Sequence, residues 1–273
     1  MQYRTPYTAA DPTALVENVI AKAAKQPGVR INRDKYLKSA LGKHFDKDTI
    51  AKAIATSPAQ AGIHPDKLRQ IASDAIQAEA TRATALSAAA GIPGGIALVG
   101  TIPADAVQYF AHILRAAQKL AYLYSWETFL DDRDANLDEA TRKTLLLFVG
   151  VMIGVQEAEN AIFKLSSRLA TSVSERIAAQ SAAQGIIFPV AKKVASVLGT
   201  ELSKEAFGKA VGKTIPFVGA AVSGGLTYAT FKPMCERLRD HLASLEIANP
   251  ENFVPHIIYG EIIAVETLEV PGA

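Results

Sequence analysis

The chain has 273 residues, 49% of them hydrophobic and 21% charged, and its formal net charge is +2. This composition excludes a disordered chain, and the single cysteine excludes a disulfide framework. A nearly balanced charge with no obvious basic stripe argues against a dedicated nucleic-acid binder. Alanine is the commonest residue and aromatic residues reach only 7%. The sequence therefore predicts an all-α fold, a multi-helix globular bundle whose long central helices are broken at glycine–proline turns.

The N-terminal region, residues 1–62, predicts short helices. Three are expected, at 13–25, 33–45 and 46–57. Asp11 is placed to cap the first helix, and Pro12 suits its first position because proline has no N–H group to satisfy there. The preceding residues lack the basic and apolar segments of a signal peptide.

The central region, residues 63–245, predicts the main bundle. Helices are expected at 65–90, 103–124, 138–155, 156–181, 186–199, 203–212 and 218–244. Asn136 is placed to cap the helix at 138, and Pro233 to kink or divide the last helix. The structural turns between helices are assigned to Gly91, Pro93, Gly94, Gly95, Pro103, Pro216, Gly219, Gly224 and Gly225.

The C-terminal tail, residues 246–273, has a different composition. Its β-branched stretch from His256 onward predicts a short β-strand or an extended arm. No stretch of the chain reaches the roughly 18–20 apolar residues that a membrane span needs. The sequence therefore predicts a cytoplasmic protein, with a peripheral position at the inner face of the membrane left open.

Motifs for phosphate and metal binding are incomplete. The segment 208–214 is similar to a phosphate-binding loop but has three residues between its glycines instead of four, and no strand precedes it. The acidic loop 132–138 has calcium-like spacing, but Leu137 replaces the glycine of the sharp turn. The five histidines are scattered. No cofactor and no metal ion is expected.

One predicted helix carries a polar stripe. Steps of three and four residues place its members on one face of the helix at 103–124. The stripe consists of Asp105, Gln108, His112, Arg115 and Lys119. This face is either solvated or lines a cleft, and the solvated interpretation is the more usual one.

A second polar group follows the apolar stretch 145–155. Glu157, Glu159 and Asn160 are expected to be partly buried and satisfied by Arg82 or a lysine. Within the apolar stretch itself, two glycines at positions 150 and 154 are spaced four residues apart. This spacing lets helices approach closely, and the sequence favours a tight soluble bundle over a membrane interface.

Three segments resemble the EcsC family. They cover 82–95, 101–125 and 214–231, where glycine–proline turns accompany long helices. In that family a glycine commonly follows the last aromatic residue of the second segment, and this chain has Ser125 there. The resemblance extends over roughly residues 70–243 and implies a bacterial helical protein associated with a membrane transporter. It carries over no catalytic residue.

Three functions are open at this stage. The first is a non-enzymatic EcsC-type protein that associates with a membrane surface or a membrane-protein partner in an accessory or regulatory role. The second is a hydrolase-like enzyme with a cleft near Asp105, His112 and Glu157, the weak catalytic candidates. The third is a protein that binds a lipid or an apolar small molecule between the apolar helices around 144–155 and 216–231. The sequence assigns no oligomeric state.

Overall fold

The computed structural model describes residues 12–90, 104–128, 130, 137–169, 185–196 and 216–253. These ranges contain α-helices and no strand, so the predicted all-α bundle is confirmed. The helices are α1 Pro12–Ala24, α2 Arg33–Leu41, α3 Lys47–Ala55, α4 Pro65–Ala90, α5 Ala104–Leu123, α6 Glu139–Met152, α7 Gln156–Leu169, α8 at 185–196 and α9 Pro216–Ala243. Two short 3-10 helices follow, at Glu246–Ala248 and Pro250–Phe253.

Side-chain caps fix several helix starts. Asn32, Asp46 and Asp138 precede α2, α3 and α6, and each accepts a hydrogen bond from a backbone N–H of the first turn. Such a cap satisfies one of the N–H groups that a helix start leaves unpaired. Asp138 caps α6 in place of the predicted Asn136, because its Oδ1 accepts from the backbone N of Thr141 at 2.6 Å.

Helices α6 and α7 are separated by a turn, whereas the sequence predicted that one continues into the other. Gly154 forms this turn with a φ of 79°, in the left-handed region that favours glycine.

Gly150 makes the close approach between helices that its spacing predicted. A Cβ at this position would lie 2.6 Å from the Cβ of Ala158 and 2.7 Å from the Cγ1 of Val190. Helices α6, α7 and α8 therefore meet at a glycine in a tight bundle.

The turn predicted around residue 219 is wrong. Pro216 is the first residue of α9, which suits proline, but Gly219, Gly224 and Gly225 lie inside this helix. A glycine inside a helix costs only about 1 kcal/mol relative to alanine, so the chain continues as a helix through these positions. Pro233 also lies inside α9 and does not divide it.

Other predicted elements lie outside the described residues. They are the turn residues Gly91, Pro93, Gly94, Gly95 and Pro103, the helix at 203–212, and the strand or arm from His256.

Ser125 is described, and its φ of 72° is the left-handed conformation that glycine adopts easily. Its Oγ accepts a hydrogen bond from the backbone N of Ala59 at 3.0 Å. This bond offsets part of the cost of the left-handed backbone at a serine.

One hydrophobic core runs through the described helices. Helix α4 packs against both α5 and α9, and α1 packs against α5 and α6. The buried side chains include Leu37 from the N-terminal region, Phe110 and Phe148 from the central region, and Ile247 from the tail. The boundaries at 62 and 245 stay a prediction, and all three regions contribute to this core. Among the helices described, none has the length and apolar composition needed to cross a membrane.

Candidate functional site

A buried carboxylate, Glu79, lies at the centre of the candidate site. It follows Ile76 by three residues and precedes Ala83 by four, so it lies on the face of α4 that packs into the core. Its side chain is 0% exposed. Burying a charged carboxylate is costly unless other groups pair with it. The neighbours of Glu79 therefore determine the properties of this region.

Four basic side chains surround Glu79. From α5, the Nδ1 of His112 lies 3.3 Å from Oε2, the Nε of Arg115 lies 3.2 Å from Oε2, and the Nζ of Lys119 lies 2.5 Å from Oε1. From α4 itself, the Nη1 of Arg82 donates to Oε1 at 2.9 Å. Within the described part of the chain, Glu79 is the only carboxylate that pairs with these four groups.

Burial and pairing set the charges of this cluster. Burial alone raises the pKa of Glu79, but the hydrogen bonds from His112 and Arg115 and the charge of Lys119 outweigh it and hold the pKa well below its usual range. Glu79 is therefore ionised. Because an ionised carboxylate only accepts hydrogen bonds, the Nδ1 of His112 carries a proton. Burial lowers the pKa of Lys119, and the nearby Glu79 offsets part of this effect.

A cleft of about 450 Å³ opens beside the cluster. The loop between α1 and α2, together with α4 and α5, forms its walls. Its polar lining residues are Gln26, Arg82, Gln108, His112 and Arg115. Glu79 is fully buried, whereas the side chains of Arg82 and Arg115 are 55% and 21% exposed. The cleft therefore offers a cationic surface to a ligand, although the cluster contains a carboxylate.

Hydrogen bonds from α5 hold the loop between α1 and α2 as one wall of the cleft. Gln118 is fully buried; its Nε2 donates to the carbonyl of Val29 at 2.8 Å, and its Oε1 accepts from the backbone N of Ile31 at 3.0 Å. Arg115 donates through Nη1 to the carbonyl of Gly28. Gly28 has a φ of +72°, and a Cβ there would lie 3.3 Å from the Nη1 of Arg115. Glycine therefore allows the loop to pass close to α5.

The polar stripe predicted on α5 faces the interior for much of its length. Gln108, His112 and Arg115 line the cleft, and both His112 and Lys119 are buried. The solvated interpretation is wrong for these two residues, because Glu79 compensates them inside the protein.

The remaining predicted site residues do not join this cluster in the part of the chain described. Glu157 is exposed in the first turn of α7. The expectation that Arg82 would satisfy it is wrong, since Arg82 pairs with Glu79. Nothing is described for the side chain of Asp105. Sequence reasoning missed Glu79, although one signal was available: a carboxylate at a buried position of an apolar helical stripe.

The side-chain nitrogens of the cluster that have no hydrogen-bond partner among the described residues indicate what chemistry the cluster supports. The Nε2 of His112 is buried and has no hydrogen-bond partner among the described residues. A general base has to reach the proton that it removes, so a buried Nε2 does not favour hydrolysis. Arg82 uses only its Nη1 on Glu79, and its Nε and Nη2 make no hydrogen bond with any other described residue. The arrangement suits the binding of an anion better than the transfer of a proton.

A lysine-rich segment of the chain contributes to the cleft and continues beyond it. Residues 22–52 contain nine lysines and arginines and three aspartates, a net charge of +6, whereas the whole chain carries +2 and the rest therefore carries −4. Seven lysines of this segment are exposed, and we call them the lysine face: Lys22, Lys25, Lys35, Lys38, Lys43, Lys47 and Lys52. Leu37 of α2 and Ile50 of α3 are buried and attach these two helices to the core. No basic stripe was expected from the sequence, because these lysines are spread over three helices and the turns that follow α1 and α2.

The fold and the site define an all-α protein with a buried charge cluster, a cationic cleft and a segment rich in exposed lysines. Within the ranges described, no three His, Cys, Asp or Glu side chains come together as a metal site would require. No family model, no curated protein and no solved structure matches this chain. The function is therefore argued from the chain's own residues.

Proposed function

We propose that this protein is a non-enzymatic helical protein that associates with an anionic membrane surface through the lysine face. The charge asymmetry supports this proposal, with +6 on residues 22–52 and −4 on the rest of the chain. An anionic leaflet attracts each nearby lysine or arginine by about 1 kcal/mol. Several lysines that meet the same surface therefore suffice for reversible binding.

The chemistry of the lysine face favours a membrane over a nucleic acid. Arg33 is buried, and Arg30, Tyr36 and Phe45 are only partly exposed, so this surface consists mainly of lysine. Nucleic-acid sites commonly combine the planar fork of arginine with exposed aromatic rings for stacking. The compact charge of an ammonium group needs no such geometry and suits the diffuse charge of a lipid headgroup layer.

Several narrower expectations remain part of this proposal. Membership of the EcsC family, a bacterial origin, a position at the inner face of the membrane and a transporter as partner rest on the resemblance of 82–95, 101–125 and 214–231. A hydrolase is the weaker alternative because of the buried Nε2 of His112. Lipid binding between the apolar helices is also weaker, since the side chains from Leu145 to Met152 are buried within the bundle.

Vesicle co-sedimentation tests the proposal. The protein is expected to bind vesicles that contain phosphatidylglycerol and not vesicles of phosphatidylcholine alone. The triple variant Lys35→Glu, Lys38→Glu and Lys43→Glu is expected to lose about a hundred-fold or more in affinity, because three attractions become repulsions. The matched control is Lys164→Glu, Lys192→Glu and Lys193→Glu, which makes the same charge change at exposed positions on α7 and α8.

Three outcomes contradict the proposal. One is an absence of binding to the anionic vesicles at low salt. Another is an equal loss of affinity in both triple variants, which would indicate an effect of net charge without a specific face. The third is tighter binding to double-stranded DNA or RNA than to the vesicles, with the same lysines involved.

A further inference from the structure

We propose that the cleft beside Glu79 is a binding site for one anionic group, a phosphate or a carboxylate, held by Arg82 and Arg115. This inference goes beyond association with a membrane surface and does not depend on it. The cleft and the lysine face consist of different residues, so either can be removed without the other.

The first support for the site is the arrangement of charge in layers. Glu79 lies at the back with no exposure, and Arg82 and Arg115 lie in front of it and line the cleft. With Lys119 included, three cationic side chains meet one carboxylate among the described residues. An anion at the front of the cleft would reduce this excess, and the guanidinium groups are already oriented by Glu79.

The second support is the supply of hydrogen-bond donors. In the described structure, Arg82 uses one nitrogen on Glu79, so its remaining two nitrogens can form the paired bonds that guanidinium makes to phosphate and carboxylate. The side-chain amides of Gln26 and Gln108 also line the cleft and add donors that carry no charge. Arg115 is held in place by Glu79 and by the carbonyl of Gly28, so it acts mainly through its charge.

The third support is an unsatisfied polar atom in the lining. His112 lines the cleft with its side chain only 8% exposed, and its Nε2 has no hydrogen-bond partner in the residues described. Buried polar atoms normally have a partner, and each exception calls for an explanation. A water molecule that enters the cleft with the ligand would supply this partner.

The shape and apolar part of the lining define the class of ligand. A volume of about 450 Å³ falls within the range of small-molecule sites. Pro27, Val29, Ala85 and Ala111 add apolar surface next to the charged groups. The ligand that fits this chemistry is a small organic anion with one phosphate or carboxylate and a short apolar portion. A free phosphate monoester and a phospholipid headgroup both provide this group.

Calorimetric titration of the full-length protein tests the site. The probes are n-butyl phosphate, butyrate, inorganic phosphate and n-butanol. The two organic anions are expected to bind, inorganic phosphate to bind more weakly, and n-butanol not to bind. The bound anion is also expected to raise the melting temperature, and this increase continues as the anion concentration rises above its dissociation constant. Binding of none of the three anions at low salt would overturn the proposal.

Two variants of the same helix separate a specific site from general charge. Arg82→Gln is expected to weaken n-butyl phosphate binding by about ten-fold to a hundred-fold, because it removes a charge and a paired donor. Arg69→Gln is the matched control. Arg69 is also an exposed arginine of α4 that pairs with a carboxylate, with a side chain 52% exposed. Equal losses in the two variants, or no loss in Arg82→Gln, would overturn the assignment of the cleft.

A titration with a soluble lipid distinguishes the two sources of the anion and separates this inference from the proposed function. Dibutyryl phosphatidic acid, which is soluble as a monomer, is compared with n-butyl phosphate in the same titration. Tighter binding of the lipid assigns a headgroup, and tighter binding of the monoester assigns a soluble metabolite; in both cases Arg82→Gln must reduce it. Vesicle binding through the lysine face is measured with the lysine variants, whose residues do not line the cleft, so either proposal can fail while the other holds.

Discussion

Helix α4 takes part in two networks of arginine and carboxylate that differ mainly in burial. In one, Glu79 is fully buried and meets four basic groups, three of them from α5. In the other, Asp240 of α9 is 51% exposed and pairs with Arg69 of α4 and Arg239, both at 2.9 Å. Water can replace the partners of Asp240 but not those of Glu79. Removing one partner is therefore expected to destabilise the protein strongly in the buried network and weakly in the exposed one.

The largest effect is expected from removing the charge of the buried carboxylate. Glu79→Gln keeps the shape but leaves Arg115 and Lys119 facing each other without compensation, so the free energy of unfolding is expected to fall by about 3–5 kcal/mol. Urea denaturation measures this change. A loss below about 1 kcal/mol would show that the cluster is solvated and that the two networks do not differ. If the variant does not fold, the same comparison is made by thermal unfolding of Glu79→Gln with Lys119→Met, which removes one of the unpaired cations.

A fall in pH is expected to act on the same group. The pKa of Glu79 in the folded protein lies below its usual value of about 4.5, so its contribution to stability is complete above that pH and decreases as the pH falls. Between pH 5 and pH 3 we expect a loss of about 2 kcal/mol from this residue. Denaturation of the native protein and of Glu79→Gln at both pH values isolates it. An identical pH dependence in the two proteins contradicts the assignment.

Removing one cation from the buried network is expected to cost less than removing the carboxylate. Lys119→Met leaves Glu79 paired with Arg82, His112 and Arg115, and it also relieves the excess of positive charge. We expect a loss of about 1–2 kcal/mol in the free energy of unfolding, measured by the same urea titration. A loss as large as that of Glu79→Gln would mean that Lys119 alone supports the carboxylate.

The smallest effect is expected in the exposed network. Asp240→Asn is expected to lower the free energy of unfolding by less than about 1 kcal/mol, and this difference should shrink as salt is added. Glu79→Gln should show little dependence on salt, because its charges are buried. Similar salt dependence in both variants, measured in low and high sodium chloride, would remove the distinction on which the comparison rests.

The helices were predictable because the spacing of apolar residues and the residues at helix ends are local features of the sequence. Pro65 opens α4 and the chain stays helical to Ala90, as the apolar period predicts. The separation of α6 from α7 was missed because the apolar pattern continues through the turn at Gly154. The glycines of α9 were mistaken for turns because glycine permits a turn without requiring one. Whether a glycine bends the chain depends on what packs around it, which the sequence does not state.

The candidate site was predictable only in part. The stripe on α5 was recognised, and its spacing correctly placed His112 and Arg115 on one face. Glu79, the partner of this stripe, was not recognised. It is separated from His112 by 33 residues, and the pairing follows from the packing of α4 on α5. The lysine face was missed for a related reason, since its residues come from three helices and the turns between them. Glu79 can be recognised as a charged residue at a buried position of an apolar helical stripe. The lysine face can be recognised by comparing the net charge of successive regions of the chain.

Gln118 has a practical consequence for anyone who works with fragments of this chain. It is fully buried in α5, and it exchanges hydrogen bonds with the backbone of Val29 and Ile31. A shortened protein that begins near residue 63 would lose these partners, and the amide of Gln118 would keep only its bond to the carbonyl of Leu114. Such a fragment is expected to express poorly or to aggregate. A fragment that begins before α1 is therefore the better choice for crystallisation or for raising binders against the central helices.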